Sequence, residues 1–298
     1  MSIVQGFLNL YKPQGMSSHD CVGAVRRLLG VKKVGHGGTL DPLAEGVLPV
    51  AVGRATRLLP YLPEGKAYRA IVRFGLTTTT DDLEGDILTQ QVADRLSVED
   101  IAAHLPEFEG TIDQVPPAFS AIQVQGQRLY DLARKGREVT VPTRTVVIHH
   151  LTPQHWQPGK QPELTLDIAC GPGTYIRAIA RDLGDRVGTG ATLAHLIRTR
   201  SGGFDVTHSL SIETVTDLVK TQGLELVDPA AALAHLPAIA LVPDLARRWQ
   251  QGQKFPPPVE IPPNTPYRVL NDASDEFLGI AQFEEREEGP ILKAKMVL

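Results

Sequence analysis

Polar and apolar residues alternate through KAYRAIVRF, residues 66–74. Tyr68, Ala70, Val72 and Phe74 fall on one face, and Arg69, Ile71 and Arg73 on the other. A period of two is the signature of a strand with one buried side. LTLDIAC (164–170) alternates in the same way and predicts a second strand, and LAHLIRTR (193–200) a third. FLNLY (7–11) reads as a short strand ended by the turn Lys12-Pro13-Gln14-Gly15. LPVAVG (48–53) has no polar break and reads as a buried strand.

Other segments carry the helical period. Ser17 with Asp20 has capping-box spacing, Val22, Val25, Leu28 and Leu29 form an apolar stripe, and Gly30 supplies a stop. Ser97 with Asp100 opens a second capped helix, SVEDIAAHLPEF. ATRLLPYL (55–62) predicts a short helix, and another is expected around 211–221. GPGTYIRAIARDLGDRVG (171–188) is a turn leading into a helix, with Ile176, Ile179, Ala180, Leu183 and Val187 on one side. TTTTDDLEGD (77–86) reads as a polar loop. Residues 115–145 read as strand, turn, helix and extended return. The Pro-rich PAIALVPD suggests a boundary near 238, and the tail, with FPPPVEIPPNTPY, reads as a small β domain.

A chain of 298 residues with 42% apolar content suits about two folded domains. No run approaches the roughly 20 apolar residues of a membrane helix. The first residues lack a signal-peptide pattern, so a cytoplasmic protein is expected. Cys21 and Cys170 form no CxxC pattern, and the histidines have no ligand spacing, so neither a disulfide framework nor a metal is expected. The net charge of −4 does not announce a nucleic-acid binder. A local basic face would suffice, because phosphate contacts act within about a Debye length. Residues 128–144 hold Arg128, Arg134, Lys135, Arg137 and Arg144 against Asp131 and Glu138, with Tyr130 inside and Phe119 nearby. Arg26, Arg27, Lys32 and Lys33 form a second basic cluster.

GHGGTLDPLAEGVLPV (35–50) holds the sharpest chemical candidate, Asp41. Pro42 biases Asp41 towards extended backbone, and the glycines permit close approach by another molecule. Such a carboxylate suits nucleophilic or general-base work. An ordinary Asp-Pro turn is the stronger reading of this stretch in isolation. Tyr68 is a core aromatic by default, or a platform for a base. Tyr175 by default is packing, Leu196 is core, and His36 is a solvent-facing loop residue. Arg177 stands in a first helical turn, where it opposes the dipole, and therefore calls for an anionic partner. These residues by themselves support a two-domain α+β enzyme with a nucleic-acid surface.

NLYKPQGMSSHD, GHGGTLDPLAEGVLPV, KAYRAIVRFGLTTTTDDLEGD, VPPAFSAIQVQGQRLYDLARKG and CGPGTYIRAIARDLG occur in that order. Together they resemble the bacterial TruB family, the tRNA pseudouridine synthases acting on uridine 55 of the T arm. The resemblance covers roughly residues 5–220. It implies an α+β catalytic domain over residues 1–238, with a central mixed, largely antiparallel sheet and an inserted thumb at about 115–145. A small PUA-like β domain over 239–298 would follow. The implied reaction breaks a uracil C–N glycosidic bond, turns the base and forms a C–C bond, with no cofactor or metal. The resemblance places the catalytic carboxylate on Asp41, a base-stacking tyrosine on Tyr68 and the arginine beside the aspartate on Arg177. It also puts Tyr175, the apolar residue Leu196 and the loop histidine His36 at the site. Lys12, Arg128 and Arg137 become candidate RNA contacts. A monomer acting on tRNA is expected. The alternatives are an RNA-guided, dyskerin-type synthase and an RNA-binding or tRNA-folding protein. The 115–145 insertion favours the stand-alone enzyme.

Overall fold

The computed structural model describes residues 5–119, 123–124, 127–128, 141–257, 262, 265–285 and 289–298. Most of the insertion at 115–145, including Arg137, lies outside them, as does the side chain of Arg128.

The strands are β1 (Gly6–Lys12), β2 (Val34–His36), β3 (Glu45–Val52), β4 (Lys66–Phe74), β5 (Leu76–Thr78), β6 (Ile87–Gln90) and β7 (Gly110–Gln114). Then follow β8 (Gln123–Val124), β9 (Gln127–Arg128), β10 (Arg144–Gln157), β11 (Glu163–Cys170), β12 (Ala191–Ser201) and β13 (Phe204–Asp205). The last four are β14 (Ala238–Leu241), β15 (Pro266–Asn271), β16 (Phe277–Glu284) and β17 (Ile291–Val297). The large sheet runs β1-β3-β12-β4-β11-β10-β7, with β2 added to β3 and β13 to β12. Its pairs are antiparallel except β3 with β12, so the sheet is mixed and largely antiparallel. A separate sheet, β14-β15-β16-β17, forms the small C-terminal β unit.

The main helices are α1 (Ser18–Leu29), α2 (Val98–Ala102), α3 (Ile176–Arg186), α4 (Ile212–Lys220), α5 (Pro229–Ala232) and α6 (Pro243–Gln250). α1 starts on the expected capping box and stops at Gly30, which is left-handed with φ 63°. The β4 alternation holds. Tyr68, Ala70, Val72 and Phe74 are buried against Leu166, Ile168, Ile179 and Leu183. On the other face, Arg69 and Arg73 reach cross-strand to Asp167 and Glu163 at 2.8 and 2.7 Å. A second core packs α1 and α4 on β1 and β3 through Leu8, Leu10, Val22, Val25 and Val215. Asp41 therefore lies between α1, whose Ser18 bonds Leu40, and α3, whose Arg177 meets the Asp41 carboxylate.

Several elements depart from the expected pattern. The helix expected over 97–108 ends at Ala102, and a 3-10 turn covers Leu105–Phe108, where Pro106 cannot continue an α-helix. The stretch expected as a helix over 55–62 is 3-10 over Gly53–Tyr61, with Pro60 inside it. The 77–86 segment is no free loop: β5 enters it and Asp82 is 2% exposed. β10 and α6 have no counterpart in the sequence reading. β10 is bulged near Pro153 and largely exposed, which hides its alternation. No helix among the described residues is long and apolar enough to cross a membrane.

Candidate active site

Asp41 sits on the connection between β2 and β3, and every side of that connection is anchored. The Ser18 hydroxyl accepts from the Leu40 N–H at 2.8 Å and donates to the Leu40 carbonyl at 3.1 Å. Gly37 N–H donates to the Pro49 carbonyl at 2.8 Å, and Gly15 N–H to Pro42 at 2.8 Å. From β12, Arg198 donates to the carbonyls of Val47 (2.8 Å), Gly38 (3.0 Å) and Thr39 (3.2 Å). From the end of β1, Lys12 donates to Pro13 at 2.9 Å, Pro42 at 3.3 Å and Ala44. Lys12 and Arg198 are both 0% exposed. Burial pushes both cations down from their ordinary pKa values. Bonds from charged donors contribute about 1.5–3 kcal/mol each, so the two cations offset their desolvation by fixing this loop.

Arg177 crosses from the first turn of α3 to meet the loop. Its Nη2 lies 2.9 Å from Asp41 Oδ2 and its Nη1 3.4 Å from Asp82 Oδ2. Nη1 also donates to the Thr80 carbonyl at 2.9 Å, and Nη2 to the Phe119 carbonyl at 3.1 Å. The arginine and Asp82 side chains are 7% and 3% exposed, whereas the Asp41 side chain is 44% exposed. One buried guanidinium thus joins a buried carboxylate to one that faces open space. Asp82 is fixed in turn by Thr80 Oγ1 and by the Glu84 N–H at 3.0 Å. The anionic partner that the position of Arg177 demands is a pair of aspartates.

Tyr68 and Leu196, both 7% exposed, belong to the core cluster that includes Leu40 and Ala44. Arg198 stands opposite Tyr68 across the β12–β4 ladder. Burial raises the Tyr68 pKa and the arginine pulls it back. His36 is half-buried, and its Nδ1 accepts from the Gly38 N–H at 3.3 Å. Burial, then Arg198, lowers its pKa, so the ring is neutral at pH 7. Tyr175 caps α3 through its backbone. Its N–H donates to Gln114 Oε1 at 2.8 Å, and its carbonyl accepts from Gln114 Nε2 at 3.0 Å.

With this geometry, comparison with known proteins is specific. The model of the TruB family pseudouridylate synthase N-terminal domain matches residues 26–176. The tRNA pseudouridylate synthase B C-terminal domain matches 177–233, and the C-terminal region of pseudouridine synthase II TruB matches 237–297. This chain belongs to the TruB family. A tRNA pseudouridine synthase B from Acaryochloris marina is 53% identical over 293 residues, covering 98% of each chain. One from Gloeobacter violaceus is 52% identical over 97% of this chain and 98% of its own. Among solved structures, a Cbf5-Nop10-Gar1 complex aligns with TM-score 0.73 and 25% identity, over 98% of this chain and 84% of that one. An archaeal box H/ACA Nop10-Cbf5 complex aligns at TM-score 0.71 and 26% identity, over 99% and 86%.

One TruB-based assignment needs correction. Lys12 was expected on the RNA surface. It is wholly buried, and its ammonium donates to three backbone carbonyls under the Asp41 loop, so it is a positioning group here. Arg128 and Arg137 belong to the part whose side chains lie outside the described residues. Three side chains escaped the sequence reading. Asp82 looked like one more polar residue in a Thr/Asp run. Arg198 reads as an exposed strand arginine until β12 is registered against β4, which sets it opposite Tyr68. Lys66 lies beside Gly38, where an added Cβ would sit 3.6 Å from its Nζ. The mixed Asp-Asp-x-Glu spacing was the one available signal for Asp82.

Proposed function

We propose that this protein converts uridine 55 in the T loop of tRNA to pseudouridine, with Asp41 as the catalytic carboxylate. The observation that carries the reading is the Arg177–Asp41 pair at 2.9 Å, with Asp41 still open to a ligand. Relatives named tRNA pseudouridine synthase B match almost the whole chain at about half identity, which supports the stand-alone enzyme over the guided one.

The target base must leave its stack, at a cost of a few kcal/mol. Tyr68 and Leu196 give it an aromatic and an apolar surface. His36, neutral and beside the loop, fills the place the base leaves. Arg177 holds Oδ2 of Asp41 and turns the remaining carboxylate edge to the nucleoside. The N1–C1′ bond breaks, the uracil turns, and C5 bonds to C1′. The C5 proton then departs and N1 gains one, so atoms balance without an oxidant or a cofactor. The site acts by holding both fragments in register, which is where most of the advantage of an intramolecular transfer resides. A monomer in the cytoplasm suits an enzyme whose large partner is the tRNA.

The test uses an unmodified tRNA transcript with the wild type and Asp41→Asn, mapping pseudouridine by chemical adduct and primer extension. A stop at the T-loop uridine is expected for the wild type only, while the variant retains RNA binding. A wild type that gives no stop at any uridine refutes the assignment.

A further inference from the structure

We propose that Arg181 and Asp81 are a positioning pair for the reaction. They fix the backbone at 115–119 against the 77–86 segment, and so set the angle at which Arg177 holds Asp41. This rests on the activity proposed above and adds to it two residues that touch no reacting atom.

Arg177 and Arg181 stand one turn apart on the same face of α3. Both reach the same two strips of chain. Arg177 meets Asp82 at 3.4 Å and donates to the Phe119 carbonyl at 3.1 Å. Arg181 Nη1 donates to Asp81 Oδ2 at 2.8 Å, and Nη2 to the Val115 carbonyl at 2.8 Å. Its Nε donates to Asp182 Oδ1 at 2.8 Å, so all three guanidinium nitrogens are engaged. Two arginines four residues apart thus take two consecutive aspartates and two carbonyls that are also four residues apart. Consecutive carboxylates reach different guanidiniums because the chain turns sharply at Asp81, which is left-handed with φ 61°. A residue with a side chain adopts that conformation at a cost, and keeps it where its surroundings impose it. Here the Asp81 carbonyl accepts from the Leu193 N–H at 3.0 Å, and Thr78 Oγ1 donates to the Asp82 carbonyl at 2.6 Å.

The consequence is geometric. The Arg181 and Asp81 side chains are 25% and 15% exposed, and a pair so near water adds little to stability. Arg177 Nη2, however, is shared between Asp41 Oδ2 at 2.9 Å and the Phe119 carbonyl at 3.1 Å. A shift of the 115–119 backbone would therefore turn the guanidinium against Asp41. Gln114 fixes where that strip begins, through both backbone groups of Tyr175. Arg181 holds it at Val115, one residue on, before it reaches Arg177. Contact with an RNA phosphate suits Arg181 poorly, because its nitrogens already have protein acceptors and two carboxylates flank it.

The experiment compares the full chain with Asp81→Asn and Arg181→Gln, singly and together. Pseudouridine formation in an unmodified tRNA transcript is followed in single turnover at saturating enzyme. The Kd is followed over a range of salt, and amide hydrogen exchange of residues 77–86 by mass spectrometry. Each single variant should lose at least about tenfold in rate, a part of the roughly 10²-fold that a misplacement of about 1 Å costs. The Kd should stay within about twofold. The double variant should fall no further than the worse single one, because the two residues act as a unit. The salt slope should move by less than the roughly 0.7–0.9 that one phosphate contact contributes. Exchange over 77–86 should quicken in both single variants. A role in global stability alone would lower the melting temperature and leave the rate of the folded enzyme intact. A folded Arg181→Gln with the wild-type rate therefore overturns the proposal. So does a slope change in Arg181→Gln that Asp81→Asn does not share, which would make Arg181 an RNA contact. If Arg181→Gln fails to fold, Asp81→Asn keeps the side-chain shape and carries the same test. If the wild type makes no pseudouridine while exchange quickens in the variants, the link between the two segments stands and the activity assignment falls. Unchanged exchange refutes the link whatever the activity.

Discussion

Asp82 is buried, yet it holds the rear of Arg177 while the exposed Asp41 holds the front. Asp82→Asn keeps the shape and removes the charge that pulls the guanidinium inward. Arg177 then has less to fix its angle to Asp41, and small misplacements near reacting atoms cost about 10²-fold in rate. The expected outcome is a kcat loss of that order with tRNA affinity nearly unchanged. Equal loss in kcat and affinity would place Asp82 on the RNA instead. A second residue-scale prediction concerns Tyr11, whose ionisation is opposed by burial and by Glu45, itself 3.1 Å from His195. Burial, then Glu45, pushes the Tyr11 pKa up to about 12 from an ordinary 10.0. A raised pKa means full stability below the unfolded value and loss as pH climbs towards the folded one. Thermal stability should therefore fall between roughly pH 10 and 12, and Tyr11→Phe should flatten that fall. Melting temperatures of both proteins across this window give the answer, and equal slopes refute it.

At the scale of elements, β3 and β12 are the one parallel strand pair of the catalytic sheet among the described residues, and Gly46 makes it possible. Gly46 has φ 103°, and an added Cβ would sit only 2.3 Å from the Arg198 carbonyl. Gly46→Ala should destabilise the fold by roughly 3–5 kcal/mol through backbone strain and overpacking. Displacing β12 would also draw Arg198 off Gly38 and Thr39, so activity should fall further than stability alone explains. Calorimetry beside single-turnover rates tests this, and a wild-type melting temperature would sink it. This junction also shows what the sequence could disclose. β4 was legible because Tyr68, Ala70, Val72 and Phe74 all point to one core, and α1 because its cap is local. The Asp41 carboxylate was visible as a candidate through Pro42 and the surrounding glycines. Arg198 and Asp82 were not, because their roles come from register: β12 against β4, and the 77–86 segment folded back under α3. Lys12 misled for the same reason. A lysine beside a turn reads as surface until the loop from 41 to 44 closes over it.

The whole molecule is held by a core that belongs to neither sheet alone. Phe7, Val47, Ala51 and Phe204 of the catalytic sheet share a cluster with Phe277, Ile280 and Met296 of the C-terminal sheet, and with Leu58 and Leu233. Burying a large apolar side chain stabilises by about 1.5–3 kcal/mol, so those three C-terminal residues contribute roughly 5–9 kcal/mol in all, part of it within their own sheet. That is comparable to the net stability of an ordinary domain. The back of β1 and β3 therefore depends on residues more than two hundred positions away. A chain ending at residue 237 would lose Phe277, Ile280 and Met296 from this shared cluster. It should aggregate or unfold near room temperature, and the intact protein should melt in one transition rather than two. Differential scanning calorimetry of the full chain and sedimentation of the truncated one provide the measurement. A soluble, monomeric 1–237 fragment with full activity on a tRNA transcript would show that the shared core is a contact of convenience. Loss of solubility with a single transition in the parent would establish that the C-terminal sheet completes the catalytic fold. Its part in stability would then need to be separated from any grip on RNA, most cleanly by Ile280→Ala. That substitution hollows the junction without altering charge, and should lower the melting temperature by roughly 3–8 °C, from a loss of about 2–5 kcal/mol, while leaving the salt slope of tRNA binding unchanged.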